Sequence, residues 1–195
     1  MLKKIAITTI LASTVLWAES GVGININEQD LEVEGILDSR NLKSLQTSST
    51  IYQADFTFLN DNEHAQLYGA GIGATNKVAG VDGLELTLGA KFIGAEVGAE
   101  NFTALPLSIK ARYQLPPLMY NVPPVAIEGK ILYAPKALSF GDSEKYTEYR
   151  LSVDIEVIEN VRIYAGYRNI KTGYKNFGNN YLFNNSFYGG LKFSY

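Results

Sequence analysis

The stretch Tyr146–Ile158, YTEYRLSVDIEVI, decides the fold. Tyr149, Leu151, Val153, Ile155 and Val157 alternate with Glu148, Arg150, Ser152, Asp154 and Glu156. Side chains along a strand point to opposite faces in turn, so this period of two makes one face apolar and the other charged. After Glu159-Asn160 the pattern resumes in VRIYAGYRNIK. It sets Val161, Ile163, Ala165 and Tyr167 against Arg162, Tyr164, Gly166 and Arg168. Two such runs across a short polar turn read as a hairpin.

The same period runs upstream. Tyr52, Ala54, Phe56 and Phe58 oppose Gln53, Asp55 and Thr57, and Leu84, Leu86, Leu88, Ala90 and Phe92 oppose Glu85, Thr87, Gly89 and Lys91. Leu107, Ile109, Ala111, Tyr113 and Leu115 oppose Ser108, Lys110, Arg112 and Gln114. Val125, Ile127, Ile131 and Tyr133 oppose Ala126, Glu128 and Lys130. The glycine-rich run 64–75 has Tyr68, Ala70, Ile72 and Ala74 as its apolar face, and glycines in a strand mark a bend or a close approach. Val22, Ile24 and Ile26, then Leu31, Val33 and Leu37, alternate near the start. Pro116, Pro117, Pro123 and Pro124 fill one connection, and Pro106 and Pro135 are placed at strand ends.

The N-terminus has the pattern of a secretory signal: Lys3 and Lys4, an apolar stretch from Ile5 to Trp17, and Ala18 before the cut. This divides the chain into residues 1–18, a signal peptide, and 19–195, one domain. Removing the two lysines takes the formal charge from −3 to −5, so no nucleic-acid partner is expected. No stretch after residue 18 reaches the ~18 consecutive apolar residues of a membrane helix. With no cysteine and a single histidine, the chain offers no disulfide and no His-rich metal site. We therefore expect no cofactor, metal or catalytic residue, and no enzymatic activity.

Strands of about 9–11 residues span a bilayer when tilted. In lipid every backbone polar group must be paired, so a sheet crosses only as a closed barrel. The reading is all-β: an antiparallel transmembrane β-barrel of about ten strands. Ten follows if the run 22–37 is split at Asn27-Glu28-Gln29-Asp30; eight is the alternative. With both termini inside, as such barrels have them, the outward aromatics sort by depth. Phe58, Tyr68, Phe92, Tyr133, Tyr149, Tyr167 and Phe187 fall near the outer ends. Tyr52, Tyr113, Phe193 and Tyr195 fall near the inner ends. Two aromatic belts around an aliphatic band are the signature of a lipid-facing wall.

The terminal run Tyr188-Gly189-Gly190-Leu191-Lys192-Phe193-Ser194-Tyr195 resembles the C-terminal signal read by the bacterial outer-membrane assembly machinery, with Tyr188, Gly190, Phe193 and Tyr195 at its marked positions. The stretches DLEVEG (30–35), GLELTLGAKF (83–92), ALPLSIKARYQLP (104–116), LYAPKALSF (132–140), KYTEYRLSVDIEVIENV (145–161) and GYRNI (166–170) resemble the YfaZ family of outer-membrane proteins. That resemblance implies the fold and a place in the outer membrane of a Gram-negative bacterium, reached through the periplasm. The partners it implies are outer-membrane lipid and, during biogenesis, the assembly machinery. It leaves the function open.

The inward faces carry eight acids: Glu32, Glu34, Asp55, Glu85, Glu128, Glu148, Asp154 and Glu156. They also carry eight bases: Lys91, Lys110, Arg112, Lys130, Arg150, Arg162, Arg168 and Lys192. An even balance in a small barrel points to a lumen filled by ion pairs; the alternative is a narrow channel selected by its lining charges. Tyr164, Tyr188 and Arg168 narrow any passage, whereas glycines 69, 71 and 73 leave local space. The carboxylate pairs Glu32/Glu34 and Asp154/Glu156 each share a face and are expected to meet inward cations. His64, next to a turn, is expected at the outer rim; a lipid-modifying enzyme built on it is the remote reading, because no local serine motif accompanies it. Loops at about 38–48, 95–104, 136–145 and 172–182 are expected on the outer side, where an unidentified ligand would be met. The function expected is a structural or interaction role, with a passive channel for small solutes as runner-up.

Overall fold

A computed structural model describes residues 20–39, 50–61, 65–97, 100–116, 123–175 and 181–194. The signal peptide, His64 and Tyr195 lie outside them. The strands are β1 (Gly21–Ile26), β2 (Asp30–Asp38), β3 (Ile51–Asp61), β4 (Gln66–Lys77), β5 (Leu84–Val97), β6 (Glu100–Ala104) and β7 (Leu107–Gln114). They continue with β8 (Val125–Ala134), β9 (Ser139–Gly141), β10 (Ser143–Ile158), β11 (Val161–Tyr174) and β12 (Tyr181–Ser194).

Every pairing is antiparallel, and two closures make the sheet a barrel: β4 pairs with β5, and β1 pairs with β12 from Gly21↔Ser194 to Ile26↔Gly189. β6 and β7 are two halves of one wall strand, since both pair with β5 in one continuous register. β9 extends the β8 position, pairing with β6 after a 3-10 turn at Lys136–Leu138. The wall therefore has ten strands, and the split at Asn27–Asp30 is a real hairpin closed by Asn27 Oδ1, which accepts from the backbone of Gln29 (2.7 Å) and Asp30 (2.8 Å). Asn160 takes the left-handed conformation (φ 66°) in the β10–β11 turn, a position Asn tolerates better than most residues.

Three sequence expectations are corrected. Pro106 is not at a strand end: it sits between β6 and β7, inside one wall strand. Its missing N–H is the only donor lost there, since its carbonyl still accepts from Lys91 (2.9 Å). Among the described residues, the stretches 95–104 and 136–145 are largely strand, and 172–174 and 181–182 belong to strands, because the hairpins run on past the point where polar alternation ends. The segment after Asp38 also changes sides. Asp38 N–H donates to Ser20 Oγ at 3.1 Å, so this connection leaves from the end that holds both described termini. We call that the terminal end, and the opposite one the distal end.

The outward face is apolar through mid-wall, where Ile72, Leu88, Ile109 and Leu151 are exposed. Of the belt aromatics, Tyr52, Phe58, Tyr68, Phe92, Tyr133, Tyr149, Tyr167, Phe187 and Phe193 are exposed, while Tyr113 is half-buried. Phe56, at the middle of β3, is an exposed aromatic within the aliphatic band. A closed ladder satisfies the backbone, and the outward apolar face is matched to hydrocarbon: the molecule is an antiparallel transmembrane β-barrel.

Candidate functional site: a stratified lumen

The inner face carries the site, and it comes in three layers. At the distal end it is apolar. Leu59, Leu67, Ile93, Phe102, Leu132, Tyr146, Ile170 and Phe183 are buried together inside the wall, with Tyr174 beside them. Phe102 packs on Tyr146 (ring centroids 5.9 Å) and edge-on to Tyr174 (5.6 Å). Phe183 reaches this layer through a β-bulge. Ile170 pairs with Asn184 and Lys171 with Leu182, so Phe183 is the extra residue, and both it and Asn184 are buried. Burying each large side chain here contributes about 1.5–3 kcal/mol.

Below lies a buried ionic network. Arg168, fully buried, bonds Asp30 and Glu32. Arg150 grips Glu32 through both terminal nitrogens (2.6 and 2.9 Å), Glu34 at 2.8 Å, and Glu148 through Nε. Asn25 donates to Glu32 (2.7 Å) and Asn184 to Asp30 (2.5 Å). Tyr146 donates to Glu148 at 2.6 Å and so joins this network to the apolar layer. The Arg168 guanidinium also lies over the Tyr188 ring, 5.2 Å from its centroid. A separate pair, Lys91 with Asp55 (2.5 Å) and Thr57 (2.6 Å), fills the wall beside β4. Gly69 and Gly71 leave no open space there, whereas Gly73 borders the terminal cavity. A Cβ on Gly71 would meet Asp55 Oδ1 at 2.5 Å, and one on Gly69 would meet Lys91 Cε at 2.5 Å.

The third layer is a cavity of about 370 Å³ that reaches Asn160 and Ser194 at the terminal rim. Arg112 clamps Asp154 with both terminal nitrogens (2.6 and 2.8 Å) and stands 3.7 Å from Glu128. Arg162 pairs with Glu156 at 3.3 Å. Lys110, Lys130, Lys192 and Glu85 complete the charged lining.

All sixteen charged residues read from the alternation point inward here. Glu32, Lys91, Glu148, Arg150 and Arg168 are buried in the network layers, and the others line or border the cavity. The carboxylate pairs divide between partners: Glu32 and Glu34 both meet Arg150, whereas Asp154 goes to Arg112 and Glu156 to Arg162. The reading missed Asp30, taken for a turn residue, and Asp61, which accepts from Tyr181 Oη at 3.2 Å. It also missed the apolar layer. Its signal was present, since Phe58-Leu59, Leu67-Tyr68, Phe92-Ile93 and Leu132-Tyr133 are adjacent apolar pairs, which leave a strand greasy on both faces. Among the described residues no group of acids or histidine has the arrangement of a metal site.

The C-terminal run is explained by the same packing. Gly190 stands opposite Tyr164, and a Cβ on it would meet the Tyr164 ring at 2.6 Å. Tyr188 is buried inward, whereas Phe193 faces out.

The family model described as YfaZ precursor matches residues 2–195. The chain belongs to the YfaZ family. A search of curated proteins finds no match. Among solved structures, this YfaZ-family barrel is similar to a bacterial polysaccharide outer membrane secretin, at TM-score 0.44 and 9% identity over 90% of this chain and 69% of that one. It is also similar to KdgM porin, at TM-score 0.44 and 10% identity over 91% of this chain and 99% of that one.

Proposed function

We propose that this YfaZ-family barrel resides in the outer membrane of a Gram-negative bacterium as a closed, non-conducting barrel with a structural or interaction role. The observation that carries this is the distal layer. Side chains from β3, β4, β5, β6, β8, β10, β11 and β12 meet across the lumen, and the Arg168–Asp30–Glu32–Arg150 network lies directly below them. An apolar layer on a buried, ion-paired one is a barrier to ions and solutes alike. The outer-membrane placement is supported by the lipid-matched outer face, the signal-like N-terminus and the family's description as a precursor. In this orientation the terminal end faces the periplasm and the distal connections face the exterior, where partners would be met.

The reading assigns no reaction to the chain; a loss of lipid chemistry on His64→Ala would overturn that part. One observation favours a narrow channel as second reading: the terminal cavity is a half-built passage that needs the ionic network and the distal layer to open. Liposome swelling with small sugars and amino acids separates the two. The closed reading expects rates equal to protein-free vesicles, and size-dependent swelling contradicts it.

A further inference from the structure

Cross-strand register gives the terminal cavity a charge pattern that a simple tally hides. Lys110 stands opposite Lys130, Lys130 opposite Arg150, and Arg150 opposite Arg168. Four cations thus stand side by side on the inner faces of β7, β8, β10 and β11. Directly opposed residues have Cβ atoms ~4.5–5.5 Å apart, and like charges there repel. Carboxylates neutralise only one end of the row. Arg168 has Asp30 and Glu32, and Arg150 has Glu32, Glu34 and Glu148. At the other end, no carboxylate among the described residues comes within 4.0 Å of the Lys110 or Lys130 ammonium, and Lys110 has only a 3.4 Å bond to the Gln53 amide oxygen.

The adjoining β11–β12 pair repeats the pattern nearer the terminal rim. Arg162 stands opposite Lys192, and Glu156 goes to Arg162, leaving Lys192 without a carboxylate in that range among the described residues. Of the other acids lining the cavity, Asp154 goes to Arg112, Asp55 to Lys91 and Glu34 to Arg150, while Asp38 lies at the end of β2. Glu128 stands 3.7 Å from Arg112, which Glu85 also opposes in register, and among the described residues neither acid pairs with Lys110, Lys130 or Lys192.

We propose that the terminal cavity binds a small multivalent anion carrying phosphate or carboxylate groups, held by Lys110, Lys130 and Lys192. All three line the cavity. Its volume of about 370 Å³ lies within the ~300–1,000 Å³ range of small-molecule sites. Lysine suits the task as a flexible point charge with three donors. A monovalent ion relieves one ammonium at a time, whereas a dianion or larger bridges the opposed pair and reaches Lys192. Entry is from the terminal rim at Asn160 and Ser194, because the distal layer closes the other end. The site does not depend on whether the barrel conducts, so a titration and a conductance measurement fail separately.

The test is calorimetric titration of inorganic pyrophosphate into the refolded full-length barrel in an uncharged detergent, with the thermal unfolding midpoint followed alongside. Saturable binding is expected in the native barrel, together with a raised midpoint. The double variant Lys110→Gln/Lys130→Gln should bind at least tenfold more weakly, and its midpoint without pyrophosphate should be no lower than native. Lys192→Gln alone should weaken binding too, and it decides the matter if the double variant does not fold. Lys136→Gln, at the distal end and 70% exposed, should leave binding unchanged. Absence of saturable binding in the native barrel, or binding undiminished by the lysine substitutions, overturns the proposal.

Discussion

The distal and terminal halves of the lumen share the same strands, yet they are built on opposite principles. β8 shows this within ten residues: Leu132 and Ala134 are fully buried in the distal layer, while Glu128 and Lys130, on the same face, border the cavity. In the distal half both faces of the wall are apolar, so the inner one packs on itself and excludes water. In the terminal half the inner face is polar, and charges keep contact with a cavity. The buried network sits between the two and belongs energetically to the dry side. Its charges have little water to fall back on, so each depends on its partners.

That contrast orders the effects of substitution. The largest belongs to Glu32→Ala, which takes a shared carboxylate from Arg150 and Arg168 at once; a loss of about 3–5 kcal/mol is expected from urea unfolding in vesicles. A loss under 1 kcal/mol would mean that water reaches the network and that the division is wrongly drawn. Next is Leu132→Ala in the distal layer, expected to lose about 2–5 kcal/mol in the same assay as it leaves a cavity behind. Gly190→Ala forces a Cβ against the Ile24 backbone oxygen and the Tyr164 ring and is expected to lose about 1–3 kcal/mol, with the ring's share restored by adding Tyr164→Ala. The restoration is the informative part, because it ties this glycine to lumen packing as well as to any recognition signal. The smallest effect is expected on the cavity side. Arg162→Ala breaks a pair whose side chains are 29% and 28% exposed, and should change stability by no more than about 1 kcal/mol.

Much of this was legible in the sequence because a strand has a period of two. Once Leu151 is placed outward, Arg150 must point in, and the same logic placed Glu32, Lys91 and Arg168. Splitting the run at Asn27–Asp30 supplied the tenth strand because it leaves both termini at one end, and Asn27 Oδ1 bonds the turn's backbone there. What the alternation could not give was register. Arg150 and Glu32 lie 118 positions apart, and Arg168 and Asp30 lie 138 apart, joined only because the barrel closes through β1 and β12. The opposition of Lys110 to Lys130 is invisible for the same reason. The distal layer was missed on different grounds: where both faces turn apolar the alternation fades, and strand ends such as Ala95–Val97 pass for loop.

The claim on which the rest stands is that the distal half seals the lumen, and single-channel recording in a planar bilayer tests it most directly. The refolded native barrel, shown folded by heat-modifiable migration, should give no steady conductance. Phe102→Ala/Tyr146→Ala, which removes two rings that meet across the distal layer, should open one whose ion selectivity shifts with Glu128→Ala. Steady conductance in the native barrel at low voltage would contradict the account.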